Sequence, residues 1–265
     1  GVGVMRYGMP RKPTVLHSDP GSWWRGPARA DGDDIVMDGA MARPYEPVTV
    51  PLVGLELTKV RTPQDAVRFV EQFGLLNIPD SFWRRKKAPR EVRQSFAEFE
   101  WFAEDLRRIV RYAANVRAGV KGDAAAVRWL RDDLCERVRH HIREGAANGE
   151  YLWFLERVPG QTCIETPEEW LRALQTVGDQ VILHHAAEGV ADALEMGLIE
   201  SHPTVIDRAV AGEKVELGRL RIALHPPSLL GFCYLTIALG LTEREPLAIC
   251  PQCEAVFRSE EHTSE

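Results

Sequence analysis

The chain has 265 residues, of which 45% are hydrophobic and 27% charged, and a formal net charge of -6. That length can bury a sizeable core without staples, and the composition excludes collagen, a disordered tail protein and a disulfide scaffold. The five cysteines, Cys135, Cys163, Cys233, Cys250 and Cys253, are sparse, odd in number and irregularly spaced, which favours a reducing compartment.

The N-terminus lacks a basic region followed by an apolar run, and the longest apolar stretch, around residues 229–241, is short for a bilayer. A cytoplasmic protein with no membrane partner is expected. Charge is unevenly distributed: residues 1–150 hold 25 Lys/Arg against 21 Asp/Glu, and within 84–143 the count is 16 against 9. A polyanion or acidic partner would meet that segment first, through Arg84, Arg85, Lys86 and Lys87 of a connector and Arg107, Arg108 and Arg111 of a helix. Solvated helix faces produce the same arithmetic, and DNA binding by this chain is expected to be weak and salt-sensitive.

Residues 1–46 are rich in Gly, Pro and Asp and predict irregular chain with one short strand at Ile35-Val36-Met37. Trp23 and Trp24 are costly to leave in water, so at least one is expected to pin this arm to the body. Residues 47–60, PVTVPLVGLELTKV, are β-prone and interrupted by Pro51 and Gly54, predicting an edge strand or two short strands. Thr62, with Pro63 and Asp65, then opens a short helix ending at Phe73-Gly74.

Residues 77–90 read as a turn-rich connector. A long helix is predicted over 91–118, with Phe99, Phe102, Leu106, Ile109, Val110 and Ala113 at helical spacing. Gly119 and Gly122 separate it from a second helix over 123–144, and an antiparallel pair is the natural arrangement. Thr166, Pro167 and Glu169 form a capping signature for a helix over 167–196, broken or eased at Gly178 and Gly189. Short apolar alternation permits a strand within 215–227. Residues 228–241, SLLGFCYLTIALGL, are apolar on nearly every side and predict a buried helix.

The reading is therefore a mainly α, irregular multi-helix domain with short N-terminal β-strands and an incomplete C-terminal zinc knuckle. Its parts are an N-terminal arm over 1–60 packed on the body, a helical domain over 61–246, and a partial knuckle and tail over 247–265.

The sharpest local signal is Cys250-Pro251-Gln252-Cys253. Two thiolates two residues apart can hold one Zn²⁺ from a tight turn whose amides also bond the sulfurs, and Phe257 is placed to cover it. The pair is half of a tetrahedral set, and His262 is the only later candidate ligand. A redox pair or unmetallated thiols are the other readings, but no thioredoxin-like βαβ context precedes the motif. Little or no zinc is expected in this chain, although the full-length protein would bind it.

The order buried helix, short polar turn, ICPQCEAVF resembles the start of the C-terminal zinc knuckle in bacterial CGNR-type zinc-finger proteins, a class of transcription regulators. Cys250, Cys253 and Phe257 carry the resemblance, which covers about residues 228–257. It implies a helical N-terminal domain, then a first Cys pair, an aromatic position, a basic stretch and a second Cys pair. RSEEHTSE is acidic where that pattern is basic, and no second pair follows within the sequence. A finger cut through or a decayed finger would produce this.

Other chemistry is weaker. His184, Glu188 and Asp192 share a helix face and could offer metal ligands, but partly buried polar residues explain the spacing more simply. His140-His141 suit the end of a basic helix. There is no GxSxG elbow, P-loop, dinucleotide glycine fingerprint or kinase signature, and Cys163 is a lone loop cysteine. The functional expectation is a DNA-associated bacterial regulatory protein with a helical sensing or association domain. A helical interaction module of a mobile-element or stress-response system, with a protein partner or a second copy, is the alternative. An enzyme with a site invisible in sequence ranks below both, and no catalytic residue is assigned.

Overall fold

Two capping boxes show how local chemistry sets the helix starts. Thr62 accepts from the Asp65 amide while the Asp65 carboxylate takes the Thr62 amide, and Thr166 and Glu169 repeat the arrangement. Each has proline at the first helical position, where the missing N–H loses nothing. The computed structural model describes residues 23–45, 53–78, 90–144, 166–198, 202–206, 221–225, 228–242, 247–250 and 256–258. Among these, 106 residues lie in helices and 36 in strands, so the described chain is mainly α-helical with a few N-terminal strands.

The N-terminal strands are β1 (Trp23–Arg25), β2 (Ala28–Asp31), β3 (Asp34–Asp38) and β4 (Arg43–Tyr45). β1 pairs antiparallel with β4, and β2 with β3. Gly32 sits at φ 64° in the β2–β3 turn, where a left-handed residue is needed. The helices α1 (Val53–Leu57) and α2 (Pro63–Phe73) follow. The first is a correction to the strand expected within 47–60: residues 53–57 are helical, and residues 47–52 lie outside the described set.

A second correction concerns residues 91–95. The expected helix over 91–118 starts five residues late because β5 (Glu91–Ser95) joins β3 in register, Val92 opposite Met37 and Gln94 opposite Ile35. Ser95 then caps α3 (Phe96–Val120), accepting from the Ala97 amide. The sheet runs β2-β3-β5. Ile35 and Met37 project into the core, following the two-residue period of the strand.

α4 (Ala124–Glu144) follows α3 after a turn in which Gly122 takes φ 96°. The helix expected over 167–196 is two helices, α5 (Pro167–Thr176) and α6 (Asp179–Leu198), separated at Val177-Gly178 as the glycine suggested. A β6–β7 hairpin (His202–Ile206 with Arg221–His225) precedes α7 (Leu229–Thr242), and β8 (Leu247–Ile249) pairs with β9 (Val256–Arg258). Residues 151–160, YLWFLERVPG, whose sequence suits a short strand or an aromatic hairpin arm, lie outside the described residues.

Two apolar clusters organise these elements. The first joins β1, β3, β5, α1, α2, the first half of α3, α7 and β8–β9, with Phe69, Phe73, Phe99, Leu106 and Ile237 deep within it. Trp23 belongs to it, packed 5.8 Å from Phe232, so this tryptophan pins the arm as expected. The second joins the end of α3 to α4, α5 and the start of α6 through Tyr112, Leu130, Trp170, Ile182 and Ala186. Residues of the N-terminal strands, α7 and the terminal hairpin share the first cluster.

Close backbone contacts fix how α3, α6 and α7 meet. A Cβ on Gly119 would fall 2.6 Å from Leu183 Cδ2, and one on Gly197 would fall 2.2 Å from the Tyr234 ring. Because Tyr234 also bonds Asp105, α6 runs antiparallel to α3, its start beside residue 119 and its end near 105. α1 lies as tightly on α7: Gly54 donates to Thr236 Oγ1 at 2.9 Å.

Candidate functional site

The terminal hairpin is built from the outside of a core inward. Leu247 and Val256 belong to the first cluster, and the Leu247 side chain fills the space where Gly240 of α7 lacks a Cβ. Ile249 lies opposite Val256, so residues 250–255, which contain CPQC, connect two paired strands anchored on α7. Cys250 is buried at the end of β8. Cys253 and His262 lie outside the described residues, and among the described residues no group of three or more His, Cys, Asp or Glu is placed to hold a metal.

The arginines singled out in the sequence have separate fates. Arg84, Arg85, Lys86 and Lys87 lie outside the described residues. Arg107 points inward and is 4% exposed; Nη1 donates to Thr58 O at 2.7 Å and Val60 O at 3.1 Å, and Nε donates to Glu104 at 2.8 Å. It satisfies carbonyls where α1 ends, a structural duty that removes it from any phosphate-contacting surface. Arg108 is half-exposed and paired with Asp105. Arg111 lies 6.0 Å over the Trp129 ring.

The same holds along α4. Arg131 bonds Leu174 O and Asp179, Arg137 bonds Asp133, and Arg139 and Arg143 both reach Glu136. Much of the basic surplus read in the sequence is thus engaged within the fold, and the cationic faces of α3 and α4 are weaker than the residue count implies. Arg117 is different: its Nη2 is buried without a hydrogen-bond partner, and burial lowers its affinity for the proton.

Sequence reasoning missed two polar contacts along α3, one at each cluster. Asp105 lies within the apolar stripe of α3, and each of its oxygens is engaged: Oδ2 accepts from the Tyr234 hydroxyl at 2.6 Å, and Oδ1 from Arg108. Two turns on, the Tyr112 hydroxyl donates to Asp133, which Arg137 also bonds at 2.8 Å while its guanidinium lies 4.9 Å over the Tyr112 ring. Burial, with the neighbouring carboxylates, pushes both tyrosine hydroxyls well above their ordinary range, and Arg108 acts on both in the opposite direction. The signal was present as a carboxylate interrupting an apolar stripe. With both oxygens engaged, Asp105 is a structural acceptor that ties α3 to α7.

The histidine pairs divide. His184 is exposed, with Nε2 3.3 Å from Glu188, whereas His185 is buried with its ring 5.8 Å from Trp170 and edge-on to it. Only one of the two adjacent imidazoles therefore faces outward with Glu188. No helix among the described residues is long and apolar enough to cross a membrane. Comparison with protein-family models, curated proteins and solved structures finds no match for this chain.

Proposed function

We propose that this chain is a DNA-associated regulatory protein, with a helical body for sensing or association and a Cys250–Cys253 knuckle as its nucleic-acid end. The observation that carries the reading is the Cys pair on the connection between two strands anchored in the main core. Zinc held there would stiffen the hairpin and present the residues after it. The internal pairing of the α3 and α4 arginines leaves DNA contact to the knuckle and to the basic run 84–87.

A helical interaction module is the second reading. It is favoured by those same internal pairs, and Trp101, 54% exposed on α3, is a side chain that a partner could cover.

Metal per chain and DNA anisotropy, measured against salt, test both. This chain should hold little zinc and bind duplex DNA weakly, with affinity falling steeply as salt rises. A version extended past Glu265 by a second Cys pair should hold one zinc and bind DNA more tightly. A zinc-loaded extended chain with no gain in DNA affinity would reject the regulator reading in favour of the interaction module. Near-stoichiometric zinc in the 265-residue chain, lost in Cys250→Ser, would mean that the chain completes its own ligand set.

A further inference from the structure

His185 is 6% exposed, and its Nε2 is buried without a hydrogen-bond partner. It sits where three elements of the second cluster meet. α5 presents Trp170 edge-on to the imidazole. α4 brings Val127, Leu130, Leu134, Cys135 and Val138 to the same cluster, and its Arg131 and Arg139 are engaged by Asp179 with Leu174 O and by Glu136. The charged groups that act on His185 belong to its own helix: Glu188, whose carboxylate is 3.9 Å from Nδ1, and His184.

An imidazole in that setting is accommodated neutral. Protonation puts an N–H on both ring nitrogens, leaves the one on Nε2 with no acceptor and places a cation against apolar walls, while the half-exposed Glu188, 3.9 Å from Nδ1, compensates only in part. Among the described buried residues His185 is the one histidine, and it lies against Trp170 of the second cluster.

We propose that His185 makes the second core an acid-releasable unit, in which protonation of the imidazole loosens α5 and the start of α6 while the first core stays closed. Burial lowers the proton affinity of His185, with Glu188 opposing and His184 adding to the effect. The sign follows: the neutral-state stabilisation is complete above the ordinary imidazole value of 6.5 and is lost as pH falls from there through the lowered folded value. α5 is the element to release, because it is short and is held mainly through Trp170, Leu174 and the Arg131 bond to Leu174 O.

Amide hydrogen exchange on the whole chain, corrected for intrinsic rates, reads the two cores separately at pH about 7.5 and about 5.5. Protection across residues 170–186 should fall several-fold at the lower pH, up to a ceiling of about tenfold set by the ordinary value of 6.5, while protection across residues 66–73 and 99–110 holds. His185→Phe, which keeps a ring against Trp170, should abolish the response, and His184→Gln should keep it. Parallel loss in both cores, no loss in either, or a full response in His185→Phe would overturn the proposal. Should His185→Phe fail to fold, titration of the imidazole resonances in the unaltered chain decides: a midpoint for His185 at or above 6.5 would overturn it, and one below 6.5 would support it.

Discussion

The Tyr234 hydroxyl donates to Asp105 Oδ2 across 2.6 Å, joining α7 to α3 over 129 positions of sequence. The same ring covers the backbone of Gly197, so one side chain locks the end of α6, α7 and α3 together. Tyr234→Phe keeps the ring and removes the bond to a charged acceptor. The expected loss is about 1.5–3 kcal/mol of unfolding free energy, read from urea denaturation. A loss below about 0.5 kcal/mol, the range of neutral substitutions, would show that Arg108 alone satisfies Asp105.

Arg107 separates a structural arginine from a DNA-contacting one. Arg107→Met should destabilise by about 2 kcal/mol or more, because the carbonyls of Thr58 and Val60 lose their buried donor. The salt slope of DNA binding should not change. A decrease of about one in that slope, the signature of a lost phosphate contact, would return Arg107 to the binding surface.

Two glycines of α1 and the α5–α6 joint give opposite results. A Cβ on Gly54 would lie 2.3 Å from the carbonyl oxygen of Cys233, so Gly54→Ala forces α1 and α7 apart and should cost about 1–3 kcal/mol or more. Around Gly178 no atom lies within 4 Å of a new Cβ. Gly178→Ala should be neutral or stabilise by up to about 1 kcal/mol through the unfolded chain. Equal effects in thermal melts would contradict the packing described.

Thr166→Ala tests whether the second core has a separable stability. Loss of the capping box frays the start of α5 and should cost about 0.5–2 kcal/mol. Exchange protection should fall at Trp170 and Leu174 before it falls at Phe69 or Phe99. Uniform loss along the chain would mean that the two clusters unfold as one.

The thiols of Cys135 and Cys233 should resist alkylation in the native protein, because each is buried and burial raises its proton affinity, most strongly at Cys233. Only the thiolate is the nucleophile. Mass mapping after a brief native pulse of iodoacetamide at pH about 8 should find both unmodified, and modification of Cys233 before unfolding would place it nearer solvent than described.

Local chemistry in the sequence settled the starts of α2 and α5, the α3–α4 pair and the burial of α7, since capping side chains, glycine breaks and the 3.6-residue period act within a few residues of one another. It failed where the deciding partner was remote. Residues 91–95 carry no signal that opposes helix, and they become β5 because β3, more than fifty positions earlier, offers a free edge in register. The β-prone VGLEL closes into α1 because Gly54 lets α7 approach and Thr236 takes its amide. Arg107 and Arg108 are indistinguishable in sequence, yet a rotation of about 100° per residue around the helix sends one to the carbonyls of Thr58 and Val60 and leaves the other half-exposed beside Asp105. His184 and His185 divide in the same way, with Trp170 of α5 on the buried side. Sequence determined which side chains could serve as caps, thiolate ligands or cations, and tertiary packing decided which of them still face solvent.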